Sequence, residues 1–110
     1  MKDSELKIEL LYFDECPSWK NALEIIRTVM EDYGNSAKVT LTRIETQEEA
    51  VMHQFVGSPT IRINGKDLFP TNQDQFALGC RIYQTPVGLK GWPTEKMLVE
   101  RLEPILSSSY

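Results

Sequence analysis

The chain has 110 residues, of which 41% are hydrophobic and 25% charged, with a net charge of −4. That length supports one hydrophobic core, hence one domain over residues 1–110, and the composition excludes wholesale disorder. Lys and Arg are scattered without a basic stripe, which argues against nucleic acid as a partner, and no apolar run nears the roughly 20 residues that cross a bilayer. The first residues also lack the apolar stretch of a secretory leader, so the expected location is cytoplasmic.

Residues 7–13 are rich in β-formers, with Ile8, Leu10 and Tyr12 alternating before the run turns wholly apolar, the pattern of a buried strand. Asp14-Glu15-Cys16-Pro17 then leads into a helix whose Trp19, Ala22, Leu23, Ile26, Met30 and Tyr33 form one apolar stripe. Pro17 suits its first position and Gly34 its end. A second strand is predicted over 38–44. Thr46 and Glu49 spell a capping box that opens a short helix, with Val51, Met52 and Phe55 as its apolar face and Gly57 as its stop. Residues 60–63 alternate again, and Asn64-Gly65 predicts a tight hairpin into 67–69. A parallel βαβ unit followed by an antiparallel pair on the same sheet is the expected architecture. Residues 70–93 carry no firm pattern beyond a short strand at 80–83 and a proline- and glycine-rich loop from Thr85 to Gly91; a segment this long without firm structure is often functional or drapes over something. Thr94 caps a last helix with Leu98, Leu102, Ile105 and Leu106 on one face. Pro104 is expected to end or kink it near Glu103, leaving 107–110 as a frayed tail.

Two cysteines, Cys16 and Cys80, and one histidine, His53, carry what chemistry the chain has. There is no Cys-x-x-Cys or His-x-x-x-His spacing, so neither a structural metal nor a cofactor is expected. Cys16 stands where a strand feeds a helix. The amides of Ser18 and Trp19 and the positive end of the helix dipole favour its thiolate there, while Asp14 and Glu15 oppose it. A buried structural cysteine is the competing reading. His53 and the Asp14–Glu15 pair read as solvated. Trp19 reads as the first rung of the core and a shield for Cys16, Tyr12 as a core tyrosine at the same edge that could donate to a ligand, and Trp92 as packing at the start of the last helix.

Taken together these residues resemble the thioredoxin-like superfamily. The likeness lies in the order β-α-β-α-β-β-α, in Cys16 opening the first long helix, and in Gly57-Ser58-Pro59-Thr60 leading into the hairpin. The runs LYFDECPSW, SPTIRINGKDLFP and GCRIYQTPVGL are similar to those of small bacterial thioredoxin-like proteins. The likeness spans roughly residues 6–69 and the last helix, with 70–93 as an insertion. It implies an α/β fold with a four-stranded mixed sheet and a cis bond before Pro59, which would face Cys16. Ser58, Pro59 and Thr60, flanked by Trp19 and Tyr12, would then contact substrate. The family's Trp-Cys-Gly-Pro-Cys is here Glu15-Cys16-Pro17-Ser18-Trp19. No second thiol lies within the helix turn.

A thiol that attacks a disulfide must be released by another. Cys80 is one candidate, provided its Cα comes within about 7 Å. An external thiol such as glutathione is the other, its carboxylates drawing on Arg62, Arg81 or Lys66. The plain reading of Cys80 is a small apolar residue on a short strand beside Ile82. Three functions follow. The first is a thiol redox protein attacking a protein or small-molecule disulfide through Cys16. The second is a non-catalytic module that grips an extended peptide at the Pro59 edge. The third is soft-metal (mercury or copper) binding by Cys16 and Cys80.

Overall fold

The computed structural model of the chain describes residues 7–32, 38–71, 76 and 78–107. Strand β1 (Lys7–Tyr12) lies inside a four-stranded sheet of order β2-β1-β3-β4. It pairs in parallel with β2 (Lys38–Arg43) and antiparallel with β3 (Thr60–Ile63), so that Leu10 lies between Leu41 and Ile61. Both edges and both faces of β1 are covered, which is why Ile8, Leu10 and Leu11 are all buried.

The two-residue period of β1 divides these side chains between two cores. Ile8 and Leu10, with Ile61 and Ile63, meet helix α1 (Ser18–Asp32) through Ala22, Ile26, Val29 and Met30, and α3 (Glu95–Ser107) through Leu98 and Leu102. Leu11 joins Ile44, Ala50 and Phe55 in a smaller cluster under α2 (Gln47–Met52). Trp19, Leu23 and Trp92 pack half-buried against the larger core, and Val29 adds a buried residue beyond the expected stripe. Tyr33 and Gly34 lie outside the described residues. The chain is thus a mixed α/β fold with three helices among the described residues. None of them is long and apolar enough to cross a membrane.

Local signals were mostly obeyed, with three differences. The capping box of α2 forms as expected: the Glu49 amide donates to Thr46 Oγ1 at 3.0 Å and the Thr46 amide to Glu49 Oε1 at 3.2 Å. The helix nevertheless stops at Met52, because Gln54 takes a left-handed φ of 54° and the Phe55 amide turns back to the Ala50 carbonyl. Ala50 and Phe55 therefore do the burying, while Val51 and Met52 face solvent. At the hairpin, Asn64 and Gly65 have φ of 52° and 87°, as a type I′ turn requires, yet β4 (Lys66–Asp67) is short. There the Asp67 carboxylate accepts the Phe69 amide at 2.9 Å and bends the chain off the ladder. Helix α3 runs through Pro104 to Ser107 instead of ending near Glu103. Proline leaves the Glu100 carbonyl without its helical donor, but both residues are exposed and water can serve that carbonyl. Thr94 caps this helix, accepting the Met97 amide at 3.1 Å. The Leu106 side chain and residues 108–110 lie outside the described residues.

Candidate redox site

The segment after β4 supplies a second cysteine, which α1 does not carry. Its residues 79–81 run alongside the segment before β3: the Ser58 amide donates to the Gly79 carbonyl and the Arg81 amide to the Ser58 carbonyl, each at 2.8 Å. Cys80 is thereby held in an isolated parallel bridge opposite Ser58. The strand expected at 80–83 begins only at Tyr83. β5 (Tyr83–Thr85) and β6 (Gly88–Lys90) then form a separate antiparallel hairpin where a loop was expected. Its turn is closed by Thr85 Oγ1, which donates to the Gly88 carbonyl at 2.6 Å and accepts the Val87 amide at 3.2 Å.

Polar anchors fasten this strap to the sheet. Arg81 is buried and its guanidinium donates to the Asp67 carboxylate at 3.0 Å and to the Phe69 carbonyl. The same group lies 4.7 Å from the Tyr83 ring centre. The Tyr83 hydroxyl donates to the Pro59 carbonyl at 2.7 Å, and its ring meets Phe69 edge-on at 5.5 Å. Burial pushes the Tyr83 hydroxyl well above its usual range, with Arg81 opposing and Asp67 adding to the shift. Gly57, at φ 126°, lets the strap approach: a β-carbon there would lie 2.9 Å from Arg81 Cβ. At the other end Gly91 sits so close to Ser18 that a β-carbon would collide with the serine hydroxyl. The strap therefore meets both the start of α1, two residues after Cys16, and the segment before β3, whose Ser58 carbonyl faces the Cys16 sulfur.

The consequence is a disulfide between Cys16 and Cys80, residues 64 apart in sequence, with Cα atoms 5.8 Å apart. Its two cysteines are not equivalently placed. Cys16 is 2% exposed. Its amide donates to the Phe13 carbonyl at 2.9 Å, closing the turn that ends β1, and its residue stands just before α1. The Cys16 sulfur lies 3.7 Å from the Ser58 carbonyl oxygen. Cys80, by contrast, is exposed. Of the two acids beside Cys16, both exposed, Asp14 faces Arg43 at 3.5 Å, which offsets its repulsion of a thiolate.

The other anticipated site residues gather here in an unanticipated way. The Ser58–Pro59 bond is cis, and Ser58, Pro59 and Thr60 are all buried beneath the strap instead of open to a substrate. Tyr12 and Trp19 stack on each other with ring centres 4.2 Å apart. Trp19 Nε1 and Ser58 Oγ are buried without a hydrogen-bond partner. Two of the three cations suggested for glutathione are committed elsewhere. Arg62 donates to the His53 and Gln54 carbonyls at 2.6 and 3.1 Å, and Arg81 is the strap anchor; Lys66 is exposed. His53 is half-buried at the end of α2, with no part in the site. Among the described residues no three His, Cys, Asp or Glu cluster as a metal site would.

The residues that sequence reading missed are Gly57, Asp67 and Tyr83, together with the structural role of Arg81. No sequence pattern marked them: Arg81, Tyr83 and Thr85 are buried while Ile82 and Gln84 are exposed, and an arginine inside with an isoleucine outside inverts the apolar alternation by which a strand face is read. Comparison of the chain with protein-family models, with curated proteins and with solved structures finds no match.

Proposed function

We propose that this chain is a thioredoxin-like thiol redox protein whose two-electron couple is Cys16 and Cys80. One observation carries the reading: two cysteines 64 residues apart are bonded at a strand-to-helix junction. The element order and the cis bond before Pro59, beside Cys16, support the thioredoxin-like part. In this reading the strap brings the second thiol that a Cys-x-x-Cys helix would carry within its own turn. The dithiol reduces a disulfide RSSR to two RSH and becomes the Cys16–Cys80 disulfide; two external thiols reverse the reaction. Because Arg81 and Tyr83 hold the strap by contacts independent of the sulfur bond, the two thiols stay close after reduction and re-form it readily.

The peptide-gripping alternative has less support, since the amide and carbonyl of Ser58 that such a peptide would use are already bonded to Gly79 and Arg81. Soft-metal binding would need the dithiol form and draws on the same pair. Equilibration in glutathione redox buffers, followed by alkylation and mass spectrometry, tests the proposal. The expected result is a reversible two-electron transition above about −300 mV, with circular dichroism unchanged. A disulfide that is reduced only as the chain unfolds is a structural staple, and that result would overturn the reading.

A further inference from the structure

We infer that redox partners meet the couple at Cys80, not Cys16, through a cleft between the strap and α3, and that Arg101 makes this cleft select an anionic thiol. The inference rests on the redox reading above. Thiol–disulfide exchange requires a thiolate to reach one of the two sulfurs, and its rate depends on access to that sulfur and on how well the other leaves. Both criteria point the same way. Cys16 is 2% exposed, whereas Cys80 is exposed and lines a cleft of about 550 Å³. Attack on Cys80 expels Cys16 as the thiolate at the N-terminal end of a 15-residue helix, where backbone amides and the dipole stabilise negative charge. Two buried donors without a partner in the disulfide form belong to residues near Cys16, one by sequence and one by contact. One is the indole N–H of Trp19, and the other is the hydroxyl of Ser58, whose carbonyl touches the Cys16 sulfur. Attack on Cys16 would instead expel Cys80, which has no helix terminus behind it.

The cleft also defines the chemistry of the incoming thiol. Tyr83 and Arg81 line it from the strap, Met97 and Arg101 from α3, and no Asp or Glu lies among its described lining residues. The charge of Arg81 is met by Asp67 at 3.0 Å. Arg101, exposed and 5.4 Å from the Phe69 ring centre, is the cation that can meet a carboxylate on a thiol seated against Cys80. The steps balance as follows. A thiolate RS⁻ attacks Cys80, forming RS–S–Cys80 and releasing the Cys16 thiolate. A second RS⁻ attacks the outer sulfur, releasing RSSR and the Cys80 thiolate, and both cysteines take protons from water. In the reverse direction Cys80 is the attacking thiol and Cys16 the resolving one, the opposite of the order expected from the sequence.

Stopped-flow reduction of the disulfide by glutathione, 2-mercaptoethanol and cysteamine, corrected for thiolate fraction, tests this in the wild type, Arg101→Gln and Arg101→Lys. At low salt the glutathione rate is expected to fall about fivefold in Arg101→Gln, to be largely kept in Arg101→Lys, and to lose its advantage in high salt. The 2-mercaptoethanol rate should stay within about twofold across all three proteins. With glutathione disulfide, Cys16→Ser should form an adduct at Cys80 much faster than Cys80→Ser forms one at Cys16. Equal slowing of all three thiols in Arg101→Gln, or faster adduct formation at Cys16, would overturn the inference while leaving the couple intact. A folded protein whose disulfide resists every thiol would instead remove the redox reading and this inference with it.

Discussion

The sheet and the strap are held by different forces. In the sheet, Ile8, Leu10, Ile61, Ala22, Ile26 and Leu98 bury apolar surface against one another, and stability is spread over many interchangeable contacts. Over the strap the corresponding positions are Arg81, Tyr83 and Thr85, and the chain is kept in place by an ion pair, a buried hydroxyl and one covalent bond. Its outer residues Ile82, Val87 and Leu89 remain exposed. Few anchors, each specific, set the distance between the two sulfurs. Both should therefore contribute to stability, but only the strap should govern how the couple behaves.

Breaking the covalent link tests that division most severely. In the chain-entropy picture, opening a loop of 64 residues through Cys80→Ser costs about 4 kcal/mol, read from the denaturant midpoint, while the far-ultraviolet spectrum should persist. Loss of the sheet signal would show that the strap holds more than itself. Phe55→Ala, in the small core under α2, should cost about 3 kcal/mol yet leave the potential of the couple unmoved. Arg81→Met should cost about 2 kcal/mol, since Asp67 keeps partial contact with water, but should raise the potential by letting the thiols separate. If Phe55→Ala moves the potential and Arg81→Met does not, the comparison fails. Tyr83→Phe has the smallest expected effect, about 1 kcal/mol, from the bond to Pro59. It also carries a pH signature. The folded-state pKa of Tyr83 lies above the ordinary 10.0, chiefly through burial, so its contribution is complete below pH 10 and is lost as pH rises beyond that value. Alkaline denaturation series should show a shallower decline for Tyr83→Phe than for the wild type.

Much of the sheet half was legible because its signals are local. The apolar stripe of α1, the capping box at Thr46 and Glu49 and the turn at Asn64-Gly65 each specify structure within a few residues, and each formed. Where the reading slipped, a tertiary contact had outweighed a local one. Gln54 ends α2 ahead of Gly57 and brings Phe55 back to its cluster, and the Asp67 side chain holds the Phe69 amide and Arg81 where the ladder ends. The strap was opaque for a related reason: a buried arginine compensated by a carboxylate 14 residues away looks, along the chain, like a solvated one.

From the residues alone it followed that Cys16 sits at a strand-to-helix junction and has no partner within its own turn, because strand, turn and helix are all encoded in adjacent positions. Only the tertiary structure decided that Cys80 is the partner, that Cys16 is the buried residue of the pair and Cys80 the exposed one, and that Arg101 shares a cleft with Cys80. Each of those depends on the approach of segments far apart in sequence, which is set by Gly57, Arg81 and Tyr83 acting across the fold.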